Sequence, residues 1–276
     1  MDERRQEIKR IFSKFSGVKT RVYNELEAQK NIDNVFGFIS SNENVEQSNL
    51  IANIAVSLAR KNYNVCVLDH KVFYPDLYKL LGCNPPPKGQ GLLQLFRTDK
   101  AEYTDHILKT KYNNLFLLSA SPQDLFEQYF DIELHTVGRV IEELKQMFDY
   151  VIIDIPNNPP FEVCVGSIEN INLGFFVWNE HIQCAQNTTK FLDYVSSIGL
   201  STAKLTNIIL NNLYGLPFDK EIIRELGFRL VGQFPHRKEI LNLSLDGKCY
   251  MTDAALIDKR YKDHMDHLIQ FLTKSI

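Results

Sequence analysis

The 276-residue chain predicts an α/β fold, a doubly wound and mostly parallel sheet flanked by helices. Three observations carry that prediction. Short apolar runs of strand type alternate with segments of helical periodicity, the pattern of successive βαβ units. The runs are continuously apolar rather than alternating, which suits burial on both faces. Hydrophobic residues make up 44% and charged residues 24%, an ordinary globular balance with enough apolar material for a sizeable core.

The elements follow in chain order. Residues 1–31 stand apart as a basic amphipathic helical extension. Ile8, Ile11, Phe12, Phe15 and Val22 fall at helical spacing there, among Arg4, Arg5, Lys9, Arg10, Lys14 and Arg21. Such a segment suits an anionic membrane surface, a partner, or a face of its own domain. The α/β domain is expected over 32–276. Its first strand is the VFGFI run at 35–39, and its first helix the LIANIAVSLA run at 50–59. A second strand, VCVL at 65–68, ends at Asp69. Further strands are predicted at 115–118, 150–153, 175–178, 208–210 and 230–231. Helices are predicted between them at 137–147, 187–198 and 219–226, the last closed by Gly227. The segment 83–91, with Pro85, Pro86 and Pro87, reads as a stiff surface loop. A final helix within 255–276 offers Leu256, Tyr261, Met265, Leu268, Ile269 and Leu272 for packing on the sheet.

Composition narrows the function classes. A formal net charge of −3 gives no electrostatic basis for bulk nucleic-acid binding. No apolar run reaches the length of a membrane span, and the charged N-terminus lacks a signal-peptide core. Five scattered cysteines without CxxC spacing, two of them (Cys66 and Cys164) in apolar stretches, read as reduced thiols in a cytoplasm. His264 and His267 share a helical face near Asp263 and Asp266, which reads as a solvated surface rather than a metal site.

The informative stretch is SSNENVEQSN at 40–49, set between the first strand and the first helix. Strand, tight loop and helix in that order form the phosphate-cradling arrangement, in which backbone N–H groups and a helix N-terminus hold an anion. Such a loop uses glycines for close approach and a lysine for the terminal phosphates. Glu43, Asn44, Glu46 and Gln47 stand here instead.

On these residues the chain resembles the MinD/ParA family of deviant Walker-type P-loop ATPases, from about Asn34 to its C-terminus. The family's KGGVGKTT loop, aligned without gaps ahead of its xANLAxALA helix, puts the signature lysine on Asn42. Its glycines fall on Glu43, Asn44 and Glu46, its Walker lysine on Gln47 and its magnesium-binding threonine on Ser48, while its valine meets Val45. Asp69 is similar to the aspartate that ends the family's second strand. Two residues on, where the family often has another aspartate, stands Lys71. FDYVIIDIP, containing Asp154, resembles the Walker B strand. Asn211 matches an asparagine that contacts adenine, and LVGQFPHRKEILNLSLDGK is similar to the strand and loop over the base. The resemblance thus implies a nucleotide site at Asn42, Glu43, Asn44, Glu46, Gln47, Ser48, Asp69, Asp154 and Asn211, with its phosphate grip dismantled. The bland reading of the same residues is also open. Asp69 and Asp154 would cap the sheet edge, Asn211 would shape a turn, and a loop carboxylate would satisfy the helix dipole in place of a ligand.

What the resemblance implies about activity follows from the substitutions. Binding of ATP and magnesium is expected to be weak or lost, and no catalytic residue or metal ligand is assigned. One carboxylate near a phosphate costs roughly 3 kcal/mol at ~5 Å and an effective dielectric of ~20. Each ~1.4 kcal/mol is a tenfold loss of affinity. The expected role is a non-hydrolysing localisation or assembly scaffold, as in the TadZ/CpaE branch that positions pilus and secretion machinery. CpaE-like members often carry a receiver-type N-terminal domain, where this chain has about thirty residues. Expected partners are protein components of a localised machine, a second copy in a homodimer, and the inner membrane face through the N-terminal helix. DNA is not among them. The alternative is an active ATPase, with an atypical loop, for plasmid or chromosome partition or for division-site positioning. Micromolar affinity for ATP with magnesium would favour it, and salt-sensitive duplex binding would favour a DNA-associated adaptor.

Overall fold

In the computed structural model the described residues are 34–43, 45–98, 101–253 and 255–274, so the predicted N-terminal helix lies outside them. The chain opens with β1 (Val35–Ser40), α1 (Gln47–Ala59), β2 (Val65–Asp69), α2 (Leu77–Leu80) and α3 (Leu92–Arg97). It continues with β3 (Leu108–Lys109), β4 (Leu115–Ser119), α4 (Leu134–Met147), β5 (Tyr150–Ile155), α5 (Phe161–Asn170), β6 (Leu173–Trp178) and α6 (Gln183–Ser197). Last come β7 (Asn207–Leu213), α7 (Glu221–Glu225), β8 (Arg229–Pro235), α8 (Lys238–Leu245) and α9 (Lys259–Lys274). Among the described residues the strands form one eight-stranded sheet in the order β3-β4-β2-β5-β1-β6-β7-β8. All neighbours are parallel except β3, which pairs antiparallel with β4 at the edge.

The predicted strands all appear, and their burial explains why. Every residue of β2 and β5 is buried, so helices must cover both faces of the sheet centre. At the β1–β6 contact, Gly37 pairs with Gly174, and the side chain of Ile171 reaches the space a Cβ on either would need. Phe38 and Phe175 stack beside them at 4.8 Å. Helix α1 runs through the middle of the molecule and buries twelve residues, Gln47 and Ser48 included. It begins three residues earlier than its apolar pattern indicates, inside the loop. The C-terminal helix packs as expected through Tyr261, Met265, Leu268, Ile269 and Leu272, while Leu256 is exposed. Asp263, Asp266 and His267 face solvent. Cys66 and Cys164 are buried free thiols, and burial pushes the Cys164 pKa up to about 12.

Five elements were not expected: the short helices α2 and α3, α8 (which lies in the stretch read as a loop), β3 and α5. Strand β3 is two residues long, one of them Lys109, and such a pair carries no periodicity. Helix α5 buries Val163 through Ile168 without interruption, so it presents no amphipathic stripe.

The triple-proline loop runs along the surface with Pro86 tucked under Gly91. Gly91 precedes α3 at φ 64° and ψ −133°, a backbone that L side chains avoid. A Cβ there would lie 2.5 Å from the Ser119 carbonyl oxygen, a backbone atom that cannot swing away. Gly91→Ala is therefore expected to cost about 2–4 kcal/mol, combining backbone strain with a backbone clash. Denaturant melts of the two proteins check it, and a change below about 0.5 kcal/mol would mean the loop relaxes freely.

Candidate functional site

Parallel strands place their carboxyl ends on one edge, and in doubly wound sheets that edge is where ligands bind. Here the register sets three polar side chains in a row. Ser119 ends β4 opposite Asp69, and Asp69 ends β2 opposite Asp154 of β5. All three are fully buried. The first turn of α1 reaches one of them, Asp154, through Gln47 and Ser48.

Within that loop the predicted residues take different stations. The Asn42 side-chain amide approaches the Cys184 sulfur at 3.7 Å. Glu43 is exposed, and Asn44 lies outside the described residues. Val45 is buried. Glu46 is the N-cap of α1 at φ 55° and ψ 42°, the left-handed conformation a glycine adopts most easily. Its carboxylate accepts from Asn49 Nδ2 at 2.7 Å, which holds a negative charge at the first turn of α1. The Asn211 amide donates to the Val45 carbonyl at 2.7 Å and to the Glu46 carbonyl at 3.3 Å, and so braces the loop from β7.

The centre is a network around Asp154. Gln47 Nε2 donates to Asp154 Oδ1 at 2.5 Å and to the Phe38 carbonyl at 3.0 Å. Ser48 Oγ donates to Asp154 Oδ2 at 2.8 Å. Lys71 Nζ lies 3.2 Å from that same Oδ2 and donates to Ser48 Oγ at 2.8 Å. Both oxygens of a fully buried carboxylate are thus occupied from within the chain. The loop that delivers Lys71 is itself pinned. His70 N donates to the Asp154 carbonyl, Lys71 N to Asp69 Oδ1 and Leu77 N to Asp69 Oδ2.

Charge balance explains the titration behaviour. Burial opposes the Lys71 charge, but Asp154, Asp76 and Asp69 overcome it and raise its pKa above the usual lysine range. Asp69 is raised well above an ordinary carboxylate, first by burial and then by the charges of Asp154 and Asp76. Asp76 is raised for the same reasons, burial leading and Asp154 next. One ammonium among three carboxylates does not neutralise them, so the cluster favours retaining a proton. The His70 imidazole, buried against Ser167 Oγ at 2.6 Å, is pushed down to about 3 by burial and stays neutral.

Magnesium and a triphosphate do not fit the residues as they stand. The ammonium of Lys71 sits between Ser48 Oγ and Asp154 Oδ2, where a divalent cation would need both oxygens at about 2.1 Å. Gln47 spends its amide on Asp154 and Phe38, and Glu46 sets a carboxylate at the helix end that would meet phosphate. Beside Asn211, the space bounded by Glu46, Leu50, Pro235, His236 and Arg237 is only about 20 Å³, room for one water and not for a base. A larger hollow of about 590 Å³ lies outward, lined by Tyr214, Lys220, His236 and Arg260 and by no residue of the 40–48 loop.

Of the residues named from sequence, the structure brings Gln47, Ser48, Asp69 and Asp154 together and sets Asn211 against the loop, while Asn42, Glu43 and Glu46 lie apart from them. Sequence reasoning noted Lys71 only as a departure at the place of an aspartate, and it missed Asp76 and Ser119. The available signal was a lysine two residues beyond a strand-ending aspartate, in reach of the same edge.

No family model matches the chain, and no curated protein matches it in sequence. Solved structures do. The septum site-determining protein MinD of Pyrococcus horikoshii OT3, complexed with Mg-ADP, is similar with a TM-score of 0.72 at 20% identity. That match covers 88% of this chain and 96% of the other. A ParA family ATPase from Chlorobium tepidum TLS is similar at TM-score 0.71 and 21% identity, over 87% and 99% of the two chains. MinD in the Aquifex aeolicus MinC:MinD cell division complex is similar at 0.72 and 17%, over 87% and 96%. The chain therefore has the P-loop fold of the MinD and ParA ATPases, along nearly the whole length of those proteins.

Proposed function

We propose that this chain is a localisation or assembly scaffold that has kept the MinD/ParA frame and given up its nucleotide chemistry. The observation that carries the reading is Lys71, whose ammonium bonds both Ser48 and Asp154. Ser48 stands at the place of the family's magnesium-binding threonine and Asp154 in the strand that resembles Walker B, and a tethered cation now bridges them. Gln47 completes the replacement by turning a neutral amide onto Asp154 where a lysine would face phosphate. Phosphoryl transfer depends on positive charge around the transferring group, and this loop supplies carboxylates instead. Hydrolysis is accordingly lost.

The structural neighbours include a septum site-determining protein and a MinC:MinD complex, which supports a positioning role exercised through protein partners. The partners proposed here are components of a localised machine and a second copy of the chain. Pilus or secretion machinery, as in the TadZ/CpaE branch, is the proposed setting. Titration calorimetry with ATP and magnesium tests the reading. No saturable heat is expected below the millimolar range, and micromolar binding by the natural chain would overturn it.

A second reading, an active ATPase with an atypical loop, has one observation in its favour. Glu46 keeps the left-handed backbone of a glycine, so the loop still follows a path that could wrap an anion. Side chains rather than backbone decide between the two.

A further inference from the structure

Beside the centre, the sheet edge carries an aromatic surface that nothing in the described chain covers. Tyr74, Leu125, Phe126 and Phe130 are 67%, 55%, 43% and 54% exposed. The three aromatic residues belong to one cluster, and Leu125 adjoins it in sequence. Phe73 stacks on Phe126 at 4.4 Å and meets Phe130 edge-on at 5.8 Å, and Tyr74 meets Phe126 at 5.8 Å. With aromatic side chains of roughly 200 Å² each, the open apolar area is on the order of 400 Å², the size at which patches mark interaction sites.

The patch is held firmly and is acidic. Asp124 accepts from Gly89 N, Ser121 N and the buried Tyr129 hydroxyl, which fixes the turn bearing Phe126 and Phe130. Residues 121–134 hold Asp124, Glu127, Asp131 and Glu133 and no lysine or arginine. Glu127 and Asp131 each follow one of the exposed phenylalanines and are themselves exposed. Of the nearby cations, Arg97 acts on Tyr129 behind this surface, and the exposed Lys88 precedes Gly89 on the far side of Asp124's bond. An apolar, acid-rimmed face fits an amphipathic helix with basic flanks.

The chain contains one such segment. Residues 4–22 carry seven lysines and arginines against a single Glu7, with Ile8, Ile11, Phe12, Phe15 and Val22 at helical spacing. We propose that this segment docks on the Tyr74–Phe126–Phe130 surface of its own chain. The reach is sufficient. The patch follows the carboxyl ends of β2 and β4, whereas Asn34 enters β1 at the opposite edge, three strands across. One strand length of about 20 Å and three strand spacings of about 14 Å add to about 34 Å, and the eleven residues 23–33 span up to about 36 Å extended. The inference uses surface chemistry alone, so a nucleotide result at the centre would leave it standing.

Hydrogen exchange on the full chain tests it. Amides of 8–22 are expected to exchange about tenfold more slowly in the natural protein than in a Phe126→Glu/Phe130→Glu variant. Glu127→Lys/Asp131→Lys should lose the same protection, and adding Lys9→Glu/Arg10→Glu should restore part of it. Phe126, Phe130, Glu127 and Asp131 are exposed, and an unchanged melt verifies folding. Equal exchange in all proteins overturns the proposal. Protection lost on dilution overturns it in favour of a second copy as occupant. Protection that arises only with phosphatidylglycerol vesicles overturns it in favour of a membrane.

Discussion

Lys71→Met should destabilise the protein by about 2–4 kcal/mol at neutral pH, the largest loss expected from any one side chain of the centre. Methionine keeps the aliphatic stem, so packing is largely spared and the charge is what goes. Asp154 has no solvent exposure, and without the ammonium it would rely on Gln47 and Ser48 alone. Breaking a buried pair typically costs 3–5 kcal/mol, and the 28% exposure of the Lys71 side chain discounts that for solvent screening. Equilibrium denaturation checks it through the midpoint, at an unchanged slope. A loss under about 0.5 kcal/mol would mean that Lys71 points to solvent, and the replacement of the metal would fail with it.

Asp69→Asn is expected to change how stability depends on pH. The folded Asp69 pKa lies well above the ordinary 3.8, through burial first and then Asp154 and Asp76. Above 3.8 the unfolded carboxyl releases its proton while the folded one retains it. The folded state thus binds more protons, and stability falls as pH rises until the folded pKa is passed. Each pH unit in that window removes up to about 1.4 kcal/mol. His70 acts in the opposite sense. Its folded pKa of about 3 means that acidification below 6.5 protonates only the unfolded state and destabilises the fold. The difference between variant and natural protein cancels His70 and leaves Asp69 together with the Asp76 and Lys71 charges it faces. The asparagine variant should gain relative stability from pH 4 to pH 8, as read from melts at both ends, and a constant difference would contradict the raised pKa.

How much of this was legible from sequence depended on the range of the contacts. Runs such as VCVL and YVII are apolar at every position because they sit at the sheet centre, so burial is written into each residue. The strand, loop and helix order at 35–59 is equally local, and it located the centre. Strand β3 escaped because an edge pair needs only two residues, and α5 because burial on all sides erases periodicity. The contact that defines the centre was hidden for a different reason. Lys71 reaches a hydroxyl twenty-three positions away and a carboxylate on another strand, a meeting that only the sheet register creates. Asn211 was legible only through the resemblance, as an adenine contact, or else as a turn residue. Its donation to the Val45 carbonyl depends on how the chain between them folds.

Calorimetry on a rebuilt loop tests the central claim most directly. Glu43→Gly, Asn44→Gly, Glu46→Gly and Gln47→Lys together restore small residues and a lysine, and a second protein adds Lys71→Asp to free Ser48 and Asp154. No saturable ATP binding is expected for the natural chain, and magnesium-dependent binding is expected to appear only once Lys71 is also replaced. Equal micromolar binding by the natural chain and both variants would contradict the claim.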